Sequence, residues 1–226
     1  MTHDDPPHPR LIAATVHGRY LVRPPAAGVS DRWLIGFHGY AQTAEIMLDL
    51  LRPVPGAERW LVVAVQALHP FYNRANEIVA NWMTRQDREQ AIADNLAYVD
   101  AVVAELEREF GVPRSLVSAG FSQGVAMAYR AGVLGRRPAD AVLAVAGDVP
   151  PELKRSPPRR WPRVRIVVGT RETYYSLDKM RADLDALRAA GVDATAVTFE
   201  GGHEWTPGVI AAAGALLAEV EALPRP

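Results

Sequence analysis

Ser122 lies at the centre of the pentapeptide Gly120-Phe121-Ser122-Gln123-Gly124, a Gly-x-Ser-x-Gly pattern that follows the apolar run 116–119. In a tight turn from a strand into a helix, the two flanking glycines remove Cβ atoms that would collide where strand and helix approach. The turn lifts the serine hydroxyl clear of the sheet and points the N–H of Gln123 at the group under attack. Because residues 125–134 follow as a helix-like stretch, the pattern predicts a nucleophilic serine at a strand-to-helix turn.

A serine hydroxyl needs a base and an acid to act as a nucleophile, and candidates for both follow predicted strands. Glu172 comes after the strand-like run 163–168, and His203 comes after the run 194–199. A neutral imidazole takes the serine proton near pH 7, and a carboxylate orients the ring and stabilises the imidazolium. The chain order of nucleophile, acid and histidine is the order that α/β-hydrolases use. We therefore predict that Ser122, Glu172 and His203 form a catalytic triad.

The acid has an alternative. Asp148 follows the preceding predicted strand, 141–146, and some α/β-hydrolases take their acid from that position. Asp178 falls in the first turn of a predicted helix, where a carboxylate is favoured by the helix dipole alone. We favour Glu172 and keep Asp148 as its rival.

The segment Phe37-His38-Gly39-Tyr40 closes the first buried strand, 33–37. A second donor to the oxyanion is expected from this loop, and the N–H of Tyr40 is the candidate that would join the N–H of Gln123. His38 is either a second base or a residue that braces the loop, and we favour the bracing role.

The elements around these residues follow an α/β pattern. Short apolar strands alternate with helical segments, which predicts a mostly parallel sheet covered by helices on both faces. Residues 11–16 and 19–22 flank His17-Gly18 and predict an opening antiparallel hairpin, whereas the long connection 66–81 shows no regular period. Connections of that length tend to be functional. We predict a tail over residues 1–10 and a single domain over 11–226.

Composition excludes several classes of protein. The chain has 226 residues, a formal net charge of −1 and no cysteine, so disulfides, thiolate metal sites and a cysteine nucleophile are ruled out. The near-neutral charge gives no reason to expect nucleic acid as a partner. There is no signal-peptide pattern and no apolar stretch approaching a membrane span, which favours a cytoplasmic protein. No phosphate-binding loop, dinucleotide fingerprint or metal-ligand spacing occurs, and we expect no cofactor and no metal.

The sequence resembles the phospholipase/carboxylesterase family of small α/β-hydrolases, which includes carboxylesterases and acyl-protein thioesterases. The matching segments span residues 33 to 205 and are Phe37-His38-Gly39, Trp82 before a long helix, Gly120-Phe121-Ser122-Gln123-Gly124, Gly169-Thr170-Arg171-Glu172 and Gly202-His203-Glu204. The resemblance implies an α/β-hydrolase fold without a large cap domain, with Ser122 as nucleophile and His203 as base. The family usually places Asp where Glu172 stands, and Leu-Gly-Asp or similar where this chain has Tyr40-Ala41-Gln42.

That resemblance implies hydrolysis of a small-molecule carboxylic ester through an acyl-enzyme. With no cap domain we expect short or medium acyl chains. Thioester hydrolysis by the same triad is the nearest alternative, and a non-catalytic ligand-binding protein is the alternative of another class. Aromatic residues in loops near the matching segments are expected to line the substrate pocket: Phe71, Tyr72, Trp82 and Tyr174.

Overall fold

The protein is described by a computed structural model over residues 8–28, 30–155 and 160–223. Within these ranges the strands are β1 (Tyr20–Arg23), β2 (Arg32–Phe37), β3 (Leu61–Val65), β4 (His69–Tyr72), β5 (Ile78–Asn81), β6 (Ser115–Phe121), β7 (Ala141–Val145), β8 (Arg163–Gly169) and β9 (Ala194–Phe199). The α-helices are α1 (Ala44–Leu51), α2 (Arg88–Phe110), α3 (Gln123–Leu134), α4 (Pro151–Arg155), α5 (Leu177–Ala189) and α6 (Pro207–Glu221).

Seven strands form one sheet in the order β1-β3-β2-β6-β7-β8-β9. All neighbours pair in parallel except β1, which runs antiparallel to β3. The register places Phe37 beside Gly120 and Phe121 beside Val145, so β2, β6 and β7 end level with one another. The carboxyl ends of the parallel strands therefore meet at one edge, which is where open α/β sheets bind their ligands.

Two apolar cores cover the two faces of this sheet. One contains Val99 and Leu106 of α2 and Met127 of α3, and the other contains Met47 of α1 and Leu216 of α6. The strands are buried on both sides, which explains why they read as continuous apolar runs rather than as alternating patterns. This arrangement confirms the predicted α/β class with a mostly parallel sheet and helices on both faces.

The connection 66–81 is more regular than its sequence indicates. It contains β4 and β5, which pair as a separate two-stranded antiparallel hairpin. β4 is largely exposed and β5 is buried except at Ile78, so neither strand has one buried and one exposed face, and the sequence shows no alternation. The hairpin and the turns that flank it fill the described chain between β3 and α2, where a cap domain could have been inserted.

The expected opening hairpin is wrong. Residues 11–16 form no strand, and Leu11, Ile12 and Val16 are exposed, while β1 pairs with β3 instead. Of the predicted tail, residues 8–10 are exposed without regular structure, and residues 1–7 lie outside the described residues. The connection 150–162 contains α4, and its residues 156–159 are likewise outside that range. No helix in the described part of the chain is long and apolar enough to cross a membrane.

Candidate active site

Ser122 occupies a strained turn between β6 and α3. Its φ of 53° and ψ of −120° lie in a region that side chains other than glycine rarely adopt, at a cost of about 1–3 kcal/mol. A Cβ on Gly120 would lie 2.6 Å from the carbonyl oxygen of Gly124, and one on Gly124 would lie 2.1 Å from that of Phe37. The two flanking glycines of the sequence pattern are therefore required by close backbone approach, as the pattern predicts.

A chain of hydrogen bonds links the serine, the histidine and the glutamate. The hydroxyl oxygen of Ser122 lies 2.8 Å from Nε2 of His203, and Nδ1 of His203 lies 2.6 Å from Oε2 of Glu172. These side chains come from the ends of β6, β9 and β8, so the shared edge of the sheet brings residues 81 positions apart into contact. The distances are those needed for a base to take the serine proton while an acid holds the ring.

Glu172 is enclosed by donors. Its side chain is 0% exposed, and Oε1 accepts hydrogen bonds from the backbone N–H groups of Tyr174 at 2.7 Å and Tyr175 at 3.4 Å. One carboxylate oxygen is thus fixed by the backbone, and the other is left for His203. This arrangement holds the longer glutamate side chain in a single orientation toward the imidazole.

His203 is also held by aromatic rings. The ring of Phe121 lies 5.1 Å from the imidazole between centroids, and the exposed ring of Tyr174 lies 5.0 Å from it. The imidazole remains partly accessible, with 24% of its side chain exposed. It can therefore meet both the serine and a molecule entering from solvent.

Asp148 lies near this site but does not contact the histidine. It is exposed in the loop after β7 and lines the same cleft as Ser122 and His203. No hydrogen bond joins it to His203 among the described residues, where the Nδ1 position is taken by Glu172. Asp178 is an exposed residue in the first turn of α5 and pairs with Arg181 at 2.7 Å.

The two predicted oxyanion donors have no competing partner. Neither the N–H of Tyr40 nor that of Gln123 donates a hydrogen bond to another group in the described part of the chain. The side chain of Gln123 points elsewhere: its Nε2 donates to Asn81 Oδ1 at 2.8 Å, and its Oε1 accepts from the N–H of Trp82 at 3.1 Å. Gln123 thereby fastens the start of α3 to the end of β5.

His38 braces the loop, as favoured from the sequence. It is wholly buried, its Nδ1 lies 2.7 Å from the carbonyl oxygen of Gly39, and its Nε2 lies 3.0 Å from the N–H of Ala67. Because the Ala67 N–H can only donate, Nε2 is the acceptor and Nδ1 carries the proton. Burial lowers the pKa of His38, which favours this neutral form.

The expected pocket residues are separated in the structure. Trp82 is 0% exposed, and its Nε1 donates to the carbonyl oxygen of His38 at 2.8 Å, so it is a bracing residue and not a pocket wall. Phe71 stacks on Tyr40 at 5.6 Å, and Tyr72 is exposed on β4. Neither lines the cleft of about 540 Å³ that contains Ser122 and His203, whereas Tyr174 does.

Three basic residues for which the sequence predicts no role also line this cleft: Arg88, Arg130 and Lys154. Arg130 is buried and pairs with Glu152 at 2.7 Å, and Lys154 pairs with Asp183 at 2.8 Å. The spacing of Gln123, Ala126 and Arg130 along α3 is the available signal, since residues three and four apart share a helix face. No group of three His, Asp or Glu side chains suited to a metal ion occurs among the described residues.

Solved structures with the same arrangement of elements include several esterases. Esterase PE8 is 23% identical, with a TM-score of 0.74 over 91% of this chain and 100% of that chain. A carboxylesterase from Mesorhizobium loti is 18% identical, with a TM-score of 0.71 over 89% of this chain and 93% of that one. The Bacillus cereus carboxylesterase is 17% identical, with a TM-score of 0.67 over 90% and 94%.

The chain therefore has the α/β-hydrolase fold, and the resemblance noted in the sequence is confirmed at the level of the fold. No protein-family model matches the sequence, and no curated protein sequence matches it.

Proposed function

We propose that this protein is a serine hydrolase that cleaves carboxylic esters through an acyl-enzyme. The observation that carries this proposal is the chain from Ser122 through His203 to the enclosed carboxylate of Glu172, with contacts of 2.8 and 2.6 Å. Such a chain serves nucleophilic catalysis, and the strained turn at Ser122 gives up stability to present the hydroxyl.

The chemistry follows from these contacts. Ser122 Oγ attacks the acyl carbonyl carbon while Nε2 of His203 takes the hydroxyl proton, and Glu172 stabilises the imidazolium that forms. The N–H groups of Tyr40 and Gln123 donate to the oxyanion of the tetrahedral intermediate. His203 returns the proton to the leaving alcohol, and water, activated by the same imidazole, then releases the acid from Ser122. No step requires a cofactor.

The acyl group is proposed to be short or medium in length. Between β3 and α2 only the hairpin and its turns stand near the site, and the cleft beside Ser122 measures about 540 Å³. We also propose that the protein is cytoplasmic.

Thioesters are the second candidate substrate, because the triad and the two donors act on the acyl carbonyl and would serve either leaving group. Matched oxygen and sulfur esters of one acyl chain would separate the two by kcat/KM.

The first experiment is intact-mass labelling with a fluorophosphonate. We expect one adduct on the wild-type protein, formed as Ser122 Oγ bonds to phosphorus and fluoride leaves. The adduct should be absent from Ser122→Ala and retained by the matched variant Ser30→Ala, which removes a hydroxyl that exchanges hydrogen bonds with the backbone N–H and carbonyl of Arg32. A folded wild-type protein that gains no adduct would overturn the mechanism and favour a ligand-binding protein without catalysis.

A further inference from the structure

The loop after β2 contains two consecutive peptide groups whose orientations are fixed by hydrogen bonds. In the first, between His38 and Gly39, the carbonyl accepts from Trp82 Nε1 at 2.8 Å, and the N–H donates to Gln42 Oε1 at 2.8 Å. In the second, between Gly39 and Tyr40, the carbonyl accepts from His38 Nδ1 at 2.7 Å and from the N–H of Gln42 at 3.3 Å. Of the four polar groups, only the N–H of Tyr40 has no partner in the described chain.

The orientation of that N–H follows from the planarity of the peptide. The carbonyl and N–H of one trans peptide point in opposite directions, so fixing the carbonyl of Gly39 also fixes the direction of the Tyr40 N–H. Gln42 contributes to both peptides, through its side-chain oxygen to the first and through its backbone N–H to the second. A residue that contacts two consecutive peptides, one through its side chain and the other through its backbone, controls the turn more tightly than a single contact would.

Gln42 is also tied to the hairpin. Its backbone carbonyl accepts from the N–H of Ala80 at 2.9 Å, and the carbonyl of Ala80 accepts from the N–H of Ala41 at 3.1 Å. The next residue along β5, Asn81, accepts from the side chain of Gln123. Gln123 and the two residues that follow Tyr40 are thus fixed against the same strand.

The side chain of Gln42 lies close to the nucleophile. A point one Cβ bond from Gly39 is 3.0 Å from Gln42 Oε1 and 3.3 Å from the Cβ of Ser122. A side chain at position 39 would meet both of them, and also the ring of Phe121 at 3.2 Å. Removing the Gln42 oxygen would leave the Gly39 N–H without its partner, and a buried N–H without a partner makes a backbone rearrangement favourable.

We propose that Gln42 is a positioning residue for the oxyanion hole, because its amide oxygen holds the Gly39 turn that aims the N–H of Tyr40 at the reacting carbonyl. The proposal rests on the function proposed above. The family that the sequence resembles usually has an acidic residue at this position. In this chain the side-chain amide of Gln42 would instead hold the turn at Gly39. The residue acts through Gly39 and Tyr40 and need not contact the substrate.

The test is the variant Gln42→Met, which keeps the length of the side chain but removes the acceptor. Donors to the oxyanion act in the transition state, so we expect kcat per titrated site to fall about 10- to 100-fold while KM changes less than about twofold. Active sites are counted with the fluorophosphonate. The affinity of an alkylboronic acid, whose tetrahedral adduct on Ser122 places an oxygen in the hole, should weaken in parallel. The control variant Gln90→Met removes an exposed glutamine that donates to Asp94. It should change neither kcat per titrated site nor the affinity of the boronic acid.

A Gln42→Met protein with wild-type kcat per titrated site would overturn the proposal, whatever its thermal stability. If this variant does not fold, Gln42→Asn, which withdraws the acceptor by one methylene, is measured in the same way, and wild-type kcat and boronate affinity there would also overturn it. If the proposed hydrolase function is itself wrong, the wild-type protein will show neither labelling by the fluorophosphonate nor turnover of an ester, which distinguishes that outcome from a failure of the Gln42 proposal.

Discussion

The proposed acid of the site is a glutamate, whose extra methylene relative to aspartate must be accommodated. Backbone donors from Tyr174 and Tyr175 hold one oxygen of Glu172, and the other reaches His203 at 2.6 Å. The turn after β8, closed by a 3.1 Å bond from the N–H of Glu172 to the carbonyl of Gly169, sets the start of this reach. The loop therefore accommodates the longer glutamate side chain, and it directs the second carboxylate oxygen to His203.

Substitutions of the two candidate acids, Glu172 and Asp148, distinguish between them. We expect Glu172→Gln to lower kcat roughly 10³- to 10⁴-fold, because a neutral amide neither fixes the tautomer of the neutral imidazole nor stabilises the imidazolium. Asp148→Asn removes the rival carboxylate, which is exposed and has no bond to His203, and should leave kcat nearly unchanged. Steady-state kinetics on one ester decide between them, and the reverse pattern would transfer the role to Asp148.

His38 gives a prediction about pH. Burial lowers the pKa of His38 below its ordinary value of 6.5, so the unfolded chain takes up a proton before the folded protein does. The free energy of unfolding should therefore fall as the pH drops below about 6.5, with a limiting slope from this group of about 1.4 kcal/mol per pH unit. Urea titrations between pH 5 and pH 7 would measure the slope. His38→Asn should reduce it, whereas His69→Asn, at an exposed position on β4, should not; equal slopes in the two variants would contradict this.

At the scale of elements, the sequence predicts the strands and helices of the sheet well because their burial is uniform. The predicted runs 163–168 and 194–199 match β8 and β9 to within one residue, and the predicted strand 33–37 matches β2 equally closely. The prediction fails where pairing with a distant segment decides whether a strand forms. Residues 11–16 have the composition of a strand but find no partner, and residues 69–72 and 78–81 pair without any period in their sequence.

In the candidate site, too, some residues could be predicted from the sequence and others could not. Ser122, Glu172 and His203 could be chosen from the sequence because each follows an apolar strand and carries the chemistry that a triad needs. Trp82 could not be assigned correctly, since an aromatic residue beside a matching segment is equally suited to a pocket wall and to a buried brace. The part played by Gln42 depends on a turn that brings a side chain back onto Gly39, and composition alone carries no sign of it.

At the scale of the whole molecule, four neighbouring strands, β6 to β9, place Ser122, Asp148, Glu172 and His203 along one edge in chain order. The site is assembled by the sheet, so its geometry depends on pairing across the whole sheet and not on any single loop. The antiparallel strand β1 lies at the other end of the sheet, where Tyr20 pairs with Val65. We expect the cooperative folding unit to begin at this strand.

Removal of the chain before Gly18 tests that boundary. No hydrogen bond joins residues 8–18 to the rest of the described chain, and Ile12 is 92% exposed, whereas the carbonyl of Arg19 already accepts from Tyr98 and from the N–H of Gln66. Because truncation tolerance follows burial and backbone bonding, we expect a protein that starts at Gly18 to lose less than about 1 kcal/mol of stability and to keep its kcat. A protein that starts after Arg23 lacks β1 and should lose the paired edge of β3, with a large drop in Tm. Thermal unfolding of the two proteins beside the full chain measures both effects. A large loss in the first truncation would mean that residues 8–17 protect the surface of α2 and belong to the folding unit.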